Sequence, residues 1–384
     1  MKIFFVARGW PSEREPQWGC FERDQAIALS KLGHQIVVLS FDTRFRKYYR
    51  KYGITHSMHG SISVYNLYVG WIWGKALRNT FIKLHIKACR AFFLYLFEKV
   101  VKQEGMPDLI YSHYLGSSSI AIAAKKKYGI PVVGIEHWSE IGYENIKKNI
   151  KQWAGNVYKE LDCLVAVSTA LKKNIEKNFG IQSVVVNNML GDEFCYKPNM
   201  RQDAVVKFVS TGNLLPVKGF DILIEAFHKA YLPEKNWSLT IIGGGKEYNH
   251  LLSLINNFHL EDNIHLVGRK SRDDVVRFLQ ESDIYVMSSR SETFGVAAIE
   301  ALACGLPIVA TRCGGAMDFV KAENGLTCPI DDADNLSERL VYMFHHYKEY
   351  DRQWISNDCR QHFSSDSIAR ELELIFEKVI KRQS

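Results

Sequence analysis

Short apolar runs rich in β-branched and aromatic residues alternate along this chain with segments whose apolar positions recur every three or four residues. The first pattern predicts strands and the second amphipathic helices. In the first half, strands are expected at Ile3–Ala7, Gln35–Ser40, Ile62–Val69, Leu109–Ser112, Val132–Glu136, Leu164–Ser168 and Ser183–Val186. Helices fall between most of them, including a long one over Lys75–Gln103. The rhythm restarts at Val205–Ser210 and continues through Ser238–Ile242, Ile264–Val267, Asp283–Ser288, Leu306–Ala310 and a short piece at Gly325–Cys328. Such alternation is the pattern of parallel α/β sheets. Asn187–Gln202 is polar, contains Pro198 and has few periodic apolar positions, so it reads as a linker, while Ser365–Lys381 reads as an amphipathic helix. Two Rossmann-like domains of similar size with a cleft between them are the economical architecture.

A chain of 384 residues with 47% hydrophobic content is long enough to build two cores. The net charge of +7 hides an asymmetry: residues 1–190 carry 27 Lys and Arg against 14 Asp and Glu, and residues 191–384 carry 22 against 28. A basic half suggests contact with an anionic surface or substrate, and charge alone does not choose between nucleic acid and anionic lipid. The eight cysteines form no C-x-x-C pair and suggest neither a zinc site nor a disulfide framework, so reduced cytosolic thiols are expected. Ile3–Ala7, followed by Arg8, is too short for a signal-peptide core, and no apolar run approaches the roughly 18–20 residues that span a bilayer.

The densest chemistry lies in Ser289-Arg290-Ser291-Glu292-Thr293-Phe294-Gly295-Val296-Ala297-Ala298-Ile299-Glu300. It follows a predicted strand and runs into an apolar helix expected to begin near Phe294. Loops of this kind lie at the carboxyl ends of parallel strands, where doubly wound sheets bind ligands. Unpaired N–H groups at a helix start suit an anion. Glu292 and Glu300 beside such a site point to a ligand rich in hydroxyls, as a sugar nucleotide is. Taken alone, each also fits a solvated helix carboxylate; the flanking Phe294-Gly295 and the Ala-rich helix favour the ligand role. A second strand–loop–helix unit, Thr211-Gly212-Asn213-Leu214-Leu215-Pro216-Val217-Lys218-Gly219-Phe220, places Lys218 at a helix mouth. There it is a point charge suited to a diphosphate, or an ordinary surface lysine. Ile135-Glu136-His137-Trp138-Ser139 puts His137 just past a strand end, where a structural histidine is the plain alternative.

Both elements together resemble the retaining glycosyltransferases of family 4, of the type that assembles bacterial polysaccharides and adopts the GT-B fold. The resemblance runs over nearly the whole chain and is strongest over residues 205–330. The glutamate pair in its Ser-Glu-Thr-Phe-Gly context is the specific signature. Supporting matches are Ile242-Gly243-Gly244-Gly245, Val267-Gly268 with Arg269 and Lys270, Gly305-Leu306-Pro307-Ile308-Val309-Ala310-Thr311, and Gly314-Gly315. The resemblance implies an α/β fold of two Rossmann-like domains whose parallel sheets face across a cleft. Residues 1–195 would form the acceptor side, with a helix over 365–384 packing back on it, and residues 203–362 would bind the nucleotide sugar.

By resemblance, Glu300 binds the ribose, Glu292 and the Phe294–Val296 backbone hold the donor sugar, and Lys218 holds the diphosphate. Gly268 and Arg269, within Val267–Lys270, line the base. His137 contacts the donor sugar beside the reacting carbon, and Gly19, within Gln17-Trp18-Gly19-Cys20-Phe21, approaches the phosphates. Asn213 departs from the pattern, standing where the family carries an arginine that works with the lysine; Arg269 and Arg290 are candidates to compensate. Cys20 likewise replaces one of the family's paired glycines.

The implied reaction moves a hexose from a nucleotide diphosphate, UDP favoured, to an acceptor hydroxyl with retention, by a front-face route and without a metal. The alternative is a non-catalytic partner subunit with a degraded donor site. A dehydrogenase would need Gly-x-Gly-x-x-Gly after a strand, which Gly243-Gly244-Gly245 does not supply. The first half adds Arg44, Arg46, Lys47, Arg50 and Lys51 among Tyr48, Tyr49 and Tyr52, then Trp71, Trp73, Lys75, Arg78, Lys83, Lys87 and Arg90 near Phe81, Leu84 and a Phe92–Phe97 run expected in the core. Cations mixed with aromatics suit the headgroup region of an anionic membrane. A cytoplasmic enzyme, peripheral on the inner face of the membrane beside a lipid-linked or polysaccharide acceptor, is the expectation. Nucleic acid explains the basic half but not the glutamate pair.

Overall fold

The computed structural model of the chain describes residues 1–15, 17–44, 49–70, 82–143, 145–198, 205–233 and 236–382, with the side chains of residues 82 and 83 excepted. These residues form two units, Met1–Met189 with Ser365–Ser384, and Leu190–Ser364. The first is built on β1 (Lys2–Ala7), β2 (Gln35–Asp42), β3 (Gly53–His59), β4 (Ile62–Tyr68), β5 (Leu109–His113), β6 (Val132–Glu136), β7 (Cys163–Ala166) and β8 (Val184–Val185), in the spatial order β3-β4-β2-β1-β5-β6-β7-β8. Its central strands are buried along most of their length and largely apolar: Ile3, Phe4, Phe5 and Val6 of β1 are all buried. That composition suits a parallel sheet covered on both faces by helices.

β3 is the exception. It pairs antiparallel with β4 through a turn at Gly60, stands at the sheet edge, and exposes His56, Ser57, Met58 and His59. A strand without a buried face carries no apolar period, so the pattern of the sequence does not predict it.

Helices α1 (Cys20–Lys31), α2 (Ile82–Glu104), α3 (Tyr114–Tyr128), α4 (Ser139–Gly142), α5 (Lys148–Tyr158) and α6 (Thr169–Phe179) lie among the described residues of this half of the chain. α2 turns Cys89, Phe93, Leu96, Phe97 and Val100 into the core, with Phe97 edge-on to Phe4 at 5.6 Å. The Phe92–Phe97 run is therefore not core throughout: Phe92 and Tyr95 lie on the other face of the helix and are exposed. The expected start of this helix, residues 75–81, lies outside the described residues. So do Arg46, Lys47, Tyr48, Trp71, Trp73 and Arg78, and the side chain of Lys83.

The second unit contains β9 (Val206–Thr211), α7 (Phe220–Lys229), β10 (Trp237–Ile242), α8 (Tyr248–Asn257), β11 (Ile264–Leu266), α9 (Arg272–Gln280), β12 (Ile284–Met287), α10 (Val296–Ala303), β13 (Ile308–Thr311), β14 (Gly325–Cys328), α11 (Ala333–His346) and α12 (Arg352–Phe363). Its sheet is parallel throughout, in the order β11-β10-β9-β12-β13-β14. Phe208, Phe227 and Trp237 anchor the core, the last two stacked at 4.8 Å.

The chain winds outward from β9 in one direction and then from β12 in the other, so the loops leaving these neighbours diverge and open a crevice at their carboxyl ends. β1 and β5 are the equivalent pair in the first sheet. After α12 the chain rejoins the first unit as α13 (Ser365–Lys381), where Phe376 meets Tyr111 at 4.9 Å and Glu373 lies 2.9 Å from His34. No helix among the described residues is long and apolar enough to cross a membrane.

Candidate functional site

The crevice between β9 and β12 brings together two residues 74 positions apart. The Lys218 ammonium donates to Glu292 Oε1 at 2.5 Å, and Ser289 Oγ donates to the same oxygen at 2.8 Å. Lys218 reaches this place at the end of a single 3₁₀ turn, Pro216–Lys218. The two loops are joined by their backbones as well: Arg290 N donates to the Val217 carbonyl at 2.8 Å, and Ser288 Oγ to the Lys218 carbonyl at 3.1 Å. Glu292 is fixed from the other side, its N–H donating to the Cys313 carbonyl at 2.8 Å and its own carbonyl accepting from Gly315 N at 3.1 Å. Its side chain keeps only 14% exposure and that of Lys218 24%.

α10 starts at Val296, two residues later than the sequence suggests. Gly295 stands at its N-cap with φ +102°, a backbone that disfavours any side chain. Phe294 is buried edge-on against Phe319 at 5.4 Å and Phe363 at 5.7 Å, so it offers the site backbone and not its ring. The alanines of α10 let α12 approach closely enough for Ser356 Oγ to donate to the Ala303 carbonyl at 2.6 Å. Glu300 sits half-buried in the second turn of α10.

Asn213 is exposed in the loop after β9. Of the two cations considered as its substitutes, Arg290 is committed elsewhere. It makes a fork to Asp221 at 2.9 and 2.8 Å and a further bond to Asp331 at 2.5 Å, and these hydrogen bonds raise its pKa. Arg269 is exposed and lies across Gly244, where an added Cβ would come within 2.9 Å of its Cγ. Gly268, just before it, accepts from Gly243 N at 3.0 Å, which holds the loop ends after β10 and β11 together.

In the first unit, His137 follows β6. Its ring lies parallel to His113 at 5.6 Å and to Phe21 at 5.8 Å, with Tyr114 tilted against it at 4.9 Å. No hydrogen bond of good geometry reaches either imidazole, though Asn188 lies beside His137 and acts to raise its pKa against burial. Burial pushes both pKa values down to about 3, helped for His113 by the nearby Arg8 charge and for His137 by His113 itself. Both rings are therefore neutral at neutral pH. Buried polar atoms without good hydrogen bonds are costly, which makes this pair of rings a candidate contact for a ligand.

The loop that presents His137 is held by Glu136. Its buried carboxylate accepts from His137 N at 3.0 Å, Trp138 N at 2.8 Å and the Tyr158 hydroxyl at 2.7 Å. Burial raises its pKa against the pull of these bonds. Sequence reasoning passed over His113 and the Glu136–Tyr158 brace; the one available signal was that His113 ends a strand and His137 directly follows one. Gly19 needs no ligand to explain it: at φ +83° it caps α1, and a Cβ there would collide with the Gly9 carbonyl.

Among the described residues, no group of three or more His, Cys, Asp or Glu side chains is placed to hold a metal ion. Residues 23–190 match the family described as Glycosyltransferase Family 4, and residues 197–360 the family described as Glycosyl transferases group 1. An uncharacterised glycosyltransferase of Methanocaldococcus jannaschii is 32% identical over 251 residues, 64% of this chain and 67% of that protein. The lipopolysaccharide outer core galactosyltransferase WaaB superposes with a TM-score of 0.73 at 19% identity, over 98% of this chain and 100% of its own. Anabaena HepE in complex with UDP gives the same score, identity and coverage.

Proposed function

The chain belongs to the glycosyltransferases of GT-B fold, and on that premise we propose that it moves a hexose from a UDP-sugar to a hydroxyl of a growing, lipid-linked surface polysaccharide, with the anomeric configuration retained. In this reading residues 203–362 bind the donor and residues 1–195 face the acceptor. The observation that carries it is the Lys218–Glu292 pair in the crevice beside the start of α10. Each ion satisfies the other. A sugar diphosphate offers both a replacement, phosphate oxygens for the ammonium and hydroxyls for the carboxylate, so neither charge would be left buried and unpaired.

Glu300 takes the ribose hydroxyls, Gly268 and Arg269 line the base, and the Phe294, Gly295 and Val296 backbone aims N–H groups at the departing diphosphate. His137, neutral, meets the donor sugar by hydrogen bond and not as a cation. The departing diphosphate assists removal of the acceptor proton in a front-face displacement.

HepE's UDP supports the base, and WaaB, a lipopolysaccharide outer core galactosyltransferase, supports a surface polysaccharide. The basic first half, with Tyr49, Tyr52 and Tyr95 exposed, supports work at the cytoplasmic face of an anionic membrane. A thermal-shift panel of UDP-, GDP- and ADP-sugars tests the donor, and NMR of the product's anomeric carbon tests retention. If no nucleotide sugar raises the melting midpoint, the site assignment fails. The commitment of Arg290 to Asp221 and Asp331 leaves Asn213 without one of its two candidate substitutes, which favours a second reading, a non-catalytic partner subunit. Donor hydrolysis or transfer by the purified chain would exclude it.

A further inference from the structure

A pocket of about 450 Å³ opens in the first unit across the carboxyl ends of three adjacent parallel strands, at Arg8 after β1, Ser40 and Asp42 in β2, and Asn66 in β4. Arg44 donates to Asp42 through its backbone N at 2.8 Å, its Nε at 3.0 Å and its Nη2 at 2.9 Å, and Arg50 Nη1 adds a bond at 2.6 Å. Four hydrogen bonds use up what a carboxylate can accept. Arg8 leans on a different carboxylate, that of the fully buried Glu22, at 2.9 Å. Ser40 Oγ is spent on the amide oxygen of Asn66, which leaves that side chain's NH₂ as its polar face.

The carboxylates thus fix three guanidinium groups in place without exhausting them. Each carries five N–H donors, of which the bonds above use two in Arg44, one in Arg50 and, for Arg8, Nε with a longer contact from Nη2. Arg44 and Arg8 also stack on Trp18, at 3.2 and 4.8 Å from its ring centroid, which restrains them further. Glu13, Arg14 and Glu15 complete the charged lining. Among the described residues the lining thus sets four arginines, three of them held on carboxylates, against Glu13, Glu15 and an Asp42 whose carboxylate is already engaged by Arg44 and Arg50.

Resting on the reading of this unit as the acceptor side, we propose that the pocket holds the carboxylate or phosphate group of an acidic sugar acceptor. Planar guanidinium forks match either oxyanion. Isothermal titration of the full chain with glucuronate, glucose 1-phosphate, glucose and inorganic phosphate tests it. At least one sugar anion is expected to bind about tenfold or more tightly than glucose, as charge-assisted hydrogen bonds require, and the preferred one identifies the group. Arg50→Gln should weaken that binding about tenfold, and Arg50→Lys, which keeps the charge and loses the fork, by less.

Lys31→Gln, the same change of charge at the end of α1, should leave it intact. Equal binding of glucose and both sugar anions would overturn the proposal, as would an equal loss in Lys31→Gln. Inorganic phosphate binding as tightly as the sugar anions would overturn the assignment to a sugar. A UDP-sugar thermal shift on the same sample separates the two readings. If the donor binds and the anions do not, only the pocket assignment falls; if the donor fails, the transferase site falls with it.

Discussion

Lowering the pH from 7 to 5 should loosen the first unit selectively, because it carries two buried neutral imidazoles. His113 and His137 have pKa values of about 3 in the folded chain. When unfolded they take the ordinary value of about 6.5. The folded values are depressed for groups that charge on protonation, so the stability they allow is fully present above pH 6.5 and is lost as pH falls toward 3. Each imidazole costs about 1.4 kcal/mol per pH unit in that window, hence about 2 kcal/mol at pH 5 and about 4 for the pair.

His34, also lowered by burial, adds in the same sense. Glu136 works against them, since its raised pKa means that folding favours its proton. A net loss of a few kcal/mol is a large part of the 5–15 that holds a typical domain together. Hydrogen exchange read by mass spectrometry, corrected for intrinsic rates, would follow peptides over β5 and β6 with β12 and β13 as internal control. Protection should fall in the first pair and hold in the second, and His113→Phe should remove about half of the fall. Unchanged protection of β5 and β6 at pH 5, or an equal fall in β12 and β13, would refute the assignment of the effect to these rings.

Glu300→Ala should weaken UDP-sugar binding by about ten- to hundredfold, the range expected for losing hydrogen bonds to a charged acceptor, while His137→Ala should lower turnover more than donor affinity; unchanged kinetics in both would undo the site assignment. Gly295→Ala should cost about 1–2 kcal/mol, since an L side chain would have to sit at φ +102° with Phe319 3.4 Å away; a denaturant midpoint equal to wild type would contradict that. Sedimentation with liposomes should show binding to anionic and not neutral vesicles, and equal binding to both would count against the basic first half as a membrane-docking face.

The parallel strands were legible because strands buried on both faces are largely apolar, and β6 and β14 fall where the residue pattern places them. β3 was not legible, since its exposed edge leaves no periodic trace. The signature glutamates and Lys218 could be picked out as residue types in strand–loop–helix settings. Their contact could not, because it depends on β9 and β12 becoming neighbours while β10 and β11 lie on the far side. The same limit hid the arginine pocket: Arg8, Arg44 and Arg50 read as part of a general basic surplus until β1, β2 and β4 bring Arg8, held by Glu22, beside Arg44 and Arg50, held by Asp42. The burial of His113 and the brace that Glu136 gives the His137 loop are likewise facts of packing, invisible in residue order.

The return of α13 to the first unit has a consequence for synthesis. Phe376 covers Tyr111 and Glu373 reaches His34, so a nascent chain with residues 1–189 already outside the ribosome still lacks the helix that covers them. The second unit has all its own elements encoded before that helix. The half made first is then the half finished last, and a chain truncated before Ser365 would carry every element of the Leu190–Ser364 unit attached to an unfinished first unit.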